Sequence, residues 1–209
     1  MRIMLRVLLT GFEPFGGEKI NPSFEAIKRM DYQKLPCETW TLELPVVFYE
    51  SSKLLIERIH DIKPDIIIMV GQAGGRKEIS IERIAINLDD SKVPDNKGVA
   101  PRQDPISVFG PVAYFSTLPI HAIQRELEDA NIPCGISNSA GTYVCNHIFY
   151  STMHELAQLH TSKLMAGFIH VPYTTDQVID KPQAFSLPIS DITKALEMIV
   201  ETCVTEHLL

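Results

Sequence analysis

Five consecutive large apolar residues, Ile66-Ile67-Ile68-Met69-Val70, stand between Pro64-Asp65 and the turn residues Gly71-Gln72-Ala73-Gly74-Gly75. A run this short, apolar at every position, has no polar face to offer water. It reads as a central strand of a parallel sheet covered on both sides. Parallel neighbours need crossover connections, usually helices, and amphipathic stretches flank the run. Residues 3–10 read as a second buried strand, broken by Gly11-Phe12-Glu13-Pro14-Phe15-Gly16-Gly17, and residues 22–30 as a short helix. Trp40, Leu42 and Leu44 alternate with polar neighbours as on a half-buried strand. Residues 47–62 have a helical period that puts Leu54, Leu55 and Ile59 on one face. Further helices are expected at 118–130 and 142–159, with short strands at 134–138 and 163–170. Ser190 reads as the N-cap of a last helix striped by Ile192, Leu196, Ile199, Val200 and Cys203. This alternation predicts an α/β protein: a single three-layer αβα domain over residues 1–209 with a twisted, mostly parallel central sheet.

Two segments break the pattern. Ile79 and Ile81, then Ile84, Ile86 and Leu88, alternate, but the phase slips between Glu82 and Arg83, which suggests a β-bulge. Residues 89–111 hold four prolines and two glycines without a period, as expected of an active-site or subunit-contact loop.

Whole-chain properties remove several function classes. Nineteen basic against twenty-six acidic residues give a net charge of −7, the wrong sign for a nucleic-acid or anionic-membrane surface. No apolar run approaches the roughly 18–20 residues of a membrane span. Arg6, Glu13 and Pro14 interrupt the opening residues too often for an export signal, so a cytoplasmic protein is expected. The four cysteines have no CxxC spacing. They are expected to stay reduced and to hold no metal.

Those cysteines differ by neighbourhood. Cys203 lies on the apolar stripe of the last helix and Cys134 at the start of a strand, both packing positions. Cys37, beside Pro36, carries no signal. Cys145 lies in Ser139-Ala140-Gly141-Thr142-Tyr143-Val144-Cys145-Asn146-His147, where a strand hands over to a helix. A thiol in the first helical turn feels the partial positive charge of unpaired N–H groups, which favours the thiolate and could hold an oxyanion. A small hydrophobe filling a helix–sheet contact is the competing reading. Such a nucleophile needs an imidazole. His147 is two residues away on the same helix and points elsewhere; His60, His121, His154, His160 and His207 read as solvated helix positions. His170 ends the strand after the cysteine's helix. If the flanking strands are parallel in a βαβ unit, it shares a rim with Cys145. Glu78, Glu82, Asp89 and Asp90 all compete to orient the imidazole, with a slight preference for Glu82 at the suspected bulge.

Both glycine-rich loops should lie on that rim. Neither has the GxGxxG or P-loop spacing of a phosphate cradle. Phe12 and Phe15 could instead wall a small uncharged ligand.

Taken together, the 11–17 loop with Asn21-Pro22-Ser23, Gly71-Gln72-Ala73-Gly74-Gly75-Arg76, Glu82-Arg83-Ile84-Ala85-Ile86-Asn87, the Cys145 segment and Ile169-His170-Val171-Pro172 resemble pyroglutamyl peptidase type I, the cysteine-type pyrrolidone-carboxylate peptidases. Pro94-Asp95-Asn96-Lys97-Gly98 and residues 111–119 follow the same pattern, so the resemblance spans residues 6–173. It implies that Cys145 is the nucleophile, His170 the general base and then acid, and Glu82 the residue orienting the imidazole. Phe12, Phe15, Asn21, Gln72, Tyr143 and Val144 would line a pocket for the five-membered lactam. The implied substrates are peptides with an N-terminal pyroglutamate, with no cofactor and a homo-oligomeric, tetrameric assembly. One position departs: Lys92 stands where related sequences often carry Arg, and it is left outside the site because the two cations differ in donor geometry. A nucleoside phosphorylase and a non-catalytic relative that keeps the pocket are the competing functions; the intact Glu82, Cys145 and His170 set argues against the second.

Overall fold

The computed structural model describes residues 4–159 and 164–209; Ile3, His160 and Lys163 of the sequence reading lie outside them. In chain order the elements are β1 (Arg6–Phe12), α1 (Pro22–Lys28), β2 (Glu38–Leu44), α2 (Glu50–Ile62), β3 (Ile66–Gln72), β4 (Ile79–Glu82) and β5 (Ile84–Ile86). There follow β6 (Ala113–Phe115), α3 (Ile120–Asp129), β7 (Cys134–Ser137), α4 (Val144–Gln158), β8 (Met165–Val171), β9 (Tyr173–Thr174), β10 (Ser186–Leu187) and α5 (Ile189–His207). A 3-10 turn at Thr175–Val178 follows β9.

Six strands form one sheet in the order β2-β1-β3-β8-β4-β7. β3 occupies its interior, paired on both sides in parallel, and all seven of its residues are buried. Each fully buried Ile or Val there contributes roughly 1.5–3 kcal/mol, which makes the apolar run the natural centre. Alternate residues feed two cores. Val7, Leu9, Ile66, Ile68, Val70, Ile81, Ile169 and Val171 pack with α1, α3 and α5 on one face. Leu8, Ile67, Met69, Ala166 and Phe168 pack with α2 and α4 on the other. The result is the expected three-layer, mostly parallel α/β arrangement.

Four local expectations change. No bulge forms after Glu82: β4 belongs to the large sheet, while β5 pairs antiparallel with β6 in a separate two-stranded ribbon. Arg83 is the junction, its N–H donating to the Ser137 carbonyl and its carbonyl accepting from Ser116. The phase slip is therefore a change of sheet, after which Ala85 turns inward. Second, the strands flanking α4 are not parallel neighbours. β4 lies between β7 and β8, parallel to β7 and antiparallel to β8. Third, Leu54 is 38% exposed, leaving Leu55, Ile59 and Ile62 as the inner face of α2. Fourth, α5 begins at Ile189 after Pro188, so Ser190 lies inside its first turn and bonds Asp191 instead of capping. The stripe from Ile192 to Cys203 is fully buried as expected.

Candidate active site

The period of two that sorts the cores also builds the site. On β8, Ile169 and Val171 enter the α1/α3/α5 core, so Phe168 and His170 face α4. On β4, Ile81 faces the first core and Glu82 the second. Glu82 is opposite Phe168 in the antiparallel ladder, one same-face step from His170. The His170 Nδ1–H donates to Glu82 Oε1 at 2.7 Å, with both side chains buried. The acid left open by sequence is thereby resolved in space: Glu78 is exposed and Asp89 is taken by His147 at 2.7 Å.

Cys145 is the second residue of α4, whose N-cap, Tyr143, makes no side-chain cap bond. Its sulfur lies over Gly71, the residue paired with His170 across β3 and β8. A Cβ on Gly71 would come within 2.9 Å of Sγ and 2.8 Å of the Phe168 ring, so only glycine leaves room for the thiol there. Thus Cys145 and His170 do share the carboxyl rim of β3 and β8, but not through a parallel βαβ unit. The chain leaves β7 in the opposite direction and returns over residues 138–143 to start α4.

Beside the thiol is a small cavity of about 30 Å³ lined by Phe12, Phe15, Asn21, Val46, Gln72, Tyr143, Val144 and Cys145. All six pocket residues named from the sequence lie in it, and Val46 is added. Phe12 is the last residue of β1, not part of the loop after it, and is 2% exposed, while Phe15 approaches Tyr143 with ring centroids 6.3 Å apart. Tyr143 is braced edge-on by Phe48 at 5.4 Å and donates its hydroxyl to the Pro94 carbonyl. Asn21 caps α1. Its Oδ1 accepts from Ser23 N–H and hydroxyl, and its Nδ2 donates to the Glu13 carbonyl, so its polar atoms are largely committed.

The sequence profile of the pyroglutamyl peptidase family matches residues 5–206. This chain belongs to the pyroglutamyl peptidase family. It is 48% identical over 201 residues to the pyrrolidone-carboxylate peptidase of Vibrio vulnificus strain YJ016, covering 96% of this chain and 93% of that one. The pyrrolidone-carboxylate peptidase of Thermococcus onnurineus strain NA1 is 48% identical over 198 residues, 95% of this chain and 98% of the relative. Among solved structures, pyroglutamyl peptidase I of Bacillus amyloliquefaciens superposes with a TM-score of 0.94 at 46% identity, over 98% of this chain and 97% of that one. Family membership removes the nucleoside phosphorylase reading.

Within this pyroglutamyl peptidase fold, sequence reasoning left Arg76 without a role. The structure places its Nη1 2.6 Å from Glu82 Oε1, while Nη2 donates to the Ser139 carbonyl at 2.8 Å. One guanidinium thus joins the buried carboxylate to the segment leading into α4. Lys92 is exposed, so the cation at Glu82 is Arg76. The available signal was its place in the quoted motif, directly after Gly74-Gly75 at a strand's carboxyl end. His154, expected on a solvated surface, is half-buried between Tyr114, Ser107 and Tyr150.

The electrostatics revise the expected thiolate. Burial, reinforced by Glu82 and opposed by Arg76, pushes the Cys145 thiol up to about 12. Desolvating an anion outweighs the partial charge of a helix terminus, which is worth about 2 kcal/mol at most. Burial also lowers the His170 pKa below 6.5, with Glu82 partly restoring it. The resting pair is therefore thiol and neutral imidazole. Activity that needs a neutral His170 should be lost as pH falls through a value below 6.5. A kcat/KM–pH profile checks this, and an acid limb above 6.5 contradicts it.

Proposed function

We propose that this chain, acting as one catalytic domain, removes N-terminal pyroglutamyl residues from peptides through a thioester on Cys145. The supporting observation is the Cys145 sulfur on the wall of the small aromatic cavity, over Gly71, the strand partner of His170, which bonds Glu82.

His170 Nε2 takes the thiol proton as sulfur attacks the acyl carbon. The proton moves during attack because neither resting group is charged. The developing oxyanion accepts from backbone N–H groups at the uncapped start of α4, near Val144 and Cys145. When the intermediate collapses, the C–N bond breaks and His170 returns its proton to the leaving amine. Water then attacks the thioester, passes its proton to His170, and free pyroglutamate leaves as the thiol is restored. Glu82 holds the Nδ1–H tautomer and steadies the transient imidazolium, while Arg76 pairs with the same carboxylate oxygen. The route calls on no metal or cofactor.

Specificity follows from what the pocket lacks. A pyroglutamyl terminus has no ammonium, and rings from Phe12, Phe15 and Tyr143 cover an uncharged lactam. An ordinary N-terminus would bury an unpaired charge there. A fluorogenic pyroglutamyl amide should be turned over at least about 10³-fold faster than the alanyl amide, because one unpaired buried charge costs several kcal/mol. Equal rates would remove the substrate assignment.

A homo-oligomer, a tetramer by resemblance, is part of the same proposal. Val108, Phe109, Val112 and Phe115 are 76%, 99%, 87% and 65% exposed along the segment that leads into and through β6, apolar side chains suited to a second copy. Phe109→Asp should lower the mass measured by light scattering while leaving the far-ultraviolet spectrum unchanged; an unchanged mass counts against this face. No helix among the described residues is long and apolar enough to cross a membrane. A cytoplasmic location remains part of the proposal.

A further inference from the structure

Beyond the residues that carry the family resemblance, the turn after β9 reaches back to the pocket. Thr174 and Gln177 form a capping box, and the Thr174 N–H donates to Gln177 Oε1 at 3.0 Å. A backbone N–H can only donate, so this bond fixes which end of the Gln177 amide is oxygen. Its Nε2 must then point the other way, where it donates to Gln72 Oε1 at 3.0 Å and lies near Glu18 Oε2 and the Ile20 carbonyl. Both glutamines are more than nine-tenths buried, at 8% and 9% exposed. Gln72 Oε1 is thus engaged on a side chain that lines the cavity, and among the described residues its Nε2 has no acceptor.

We propose that Gln177 is a positioning residue that sets substrate specificity by locking the Gln72 carboxamide with its donor end toward the pocket, where it bonds the lactam carbonyl. This deepens the pyroglutamyl reading and rests on it. A lactam carbonyl accepts from Gln72. A prolyl ring has a methylene at that position, so the Gln72 N–H loses its acceptor, and the cationic ring nitrogen is buried without a counter-charge. The polarity of the pocket is therefore written outside it, by a backbone N–H at residue 174.

Two variants separate this role from simple support. Gln177→Glu keeps an acceptor for Thr174 but has no donor for Gln72; the Gln72 amide then turns its Nε2 to the carboxylate and its oxygen to the pocket. Gln177→Met removes the cap bond as well, and leaves Gln72 free to rotate. The KM for a pyroglutamyl amide is expected to rise about 10-fold in Gln177→Glu and about 2- to 3-fold in Gln177→Met, with kcat changed less than KM in both. Discrimination against the prolyl amide should narrow in the same order. Loss of the turn alone would give the reverse order, since Met discards more of the cap than Glu. Unchanged KM and discrimination in a folded Gln177→Glu, or a larger effect from Met, overturns the assignment while wild-type turnover still supports the pyroglutamyl reading. A wild type that does not cleave the pyroglutamyl amide overturns both. Thermal melts of the variants confirm folding, and if Gln177→Glu does not fold, the Gln177→Met kinetics decide: a KM unchanged from wild type overturns the assignment.

Discussion

Cys145→Ala is expected to lower kcat/KM for a pyroglutamyl amide by at least about 10⁴-fold, because loss of a nucleophile disables the entire catalytic group. The substitution deletes one sulfur that lies against Gly71 at the cavity wall, and it adds no atom to clash with Phe168. Stability should therefore change little. Cys203→Ala provides the contrast. Cys203 is fully buried on the α5 stripe, so its loss should cost about 1–2 kcal/mol of stability through the space it leaves while kcat/KM stays near wild type. Parallel melts and kinetics of the two variants separate a reacting thiol from a packing one. If Cys145→Ala keeps activity, the nucleophile lies elsewhere.

The second large effect is expected at Glu82, which is 0% exposed and accepts from both His170 and Arg76 through Oε1. Glu82→Gln preserves shape but removes the charge opposite the transient imidazolium, and kcat should fall about 10²–10⁴-fold. Its pH profile carries a further sign. The Glu82 carboxylate raises the His170 pKa against burial, so the neutral amide should move the acid limb to lower pH. A limb that stays in place, or moves up, would show that Glu82 does not act through the imidazole.

The central sheet was legible because Ile66–Val70 can be satisfied only inside it, and the partners on one face follow from the period of two. Glu82, His170 and Gly71 share a face for that reason alone. Strand direction was not legible. Alternation in β4 and β7 looks the same whether they run with β8 or against it, and the return through residues 138–143 depends on pairing far along the chain. The helix position carries no information on burial, a tertiary property that raises the Cys145 thiol. Arg76 stood inside a quoted motif, yet its bond to Glu82 depends on how the loop after β3 folds back. Thr174 and Gln177 have capping-box spacing, but nothing local in that pattern points to Gln72, 105 residues earlier.

The most direct test of Cys145 as the residue that attacks a pyroglutamyl acyl carbon is affinity labelling with a pyroglutamyl chloromethyl ketone, read by peptide mass mapping beside the alanyl analogue. The expected result is one label per chain on Cys145, loss of activity in step with labelling, protection by 2-pyrrolidinone, and little reaction with the alanyl reagent. Inactivation with the label on Cys37, Cys134 or Cys203, or equal labelling of Cys145 by both reagents, would contradict it.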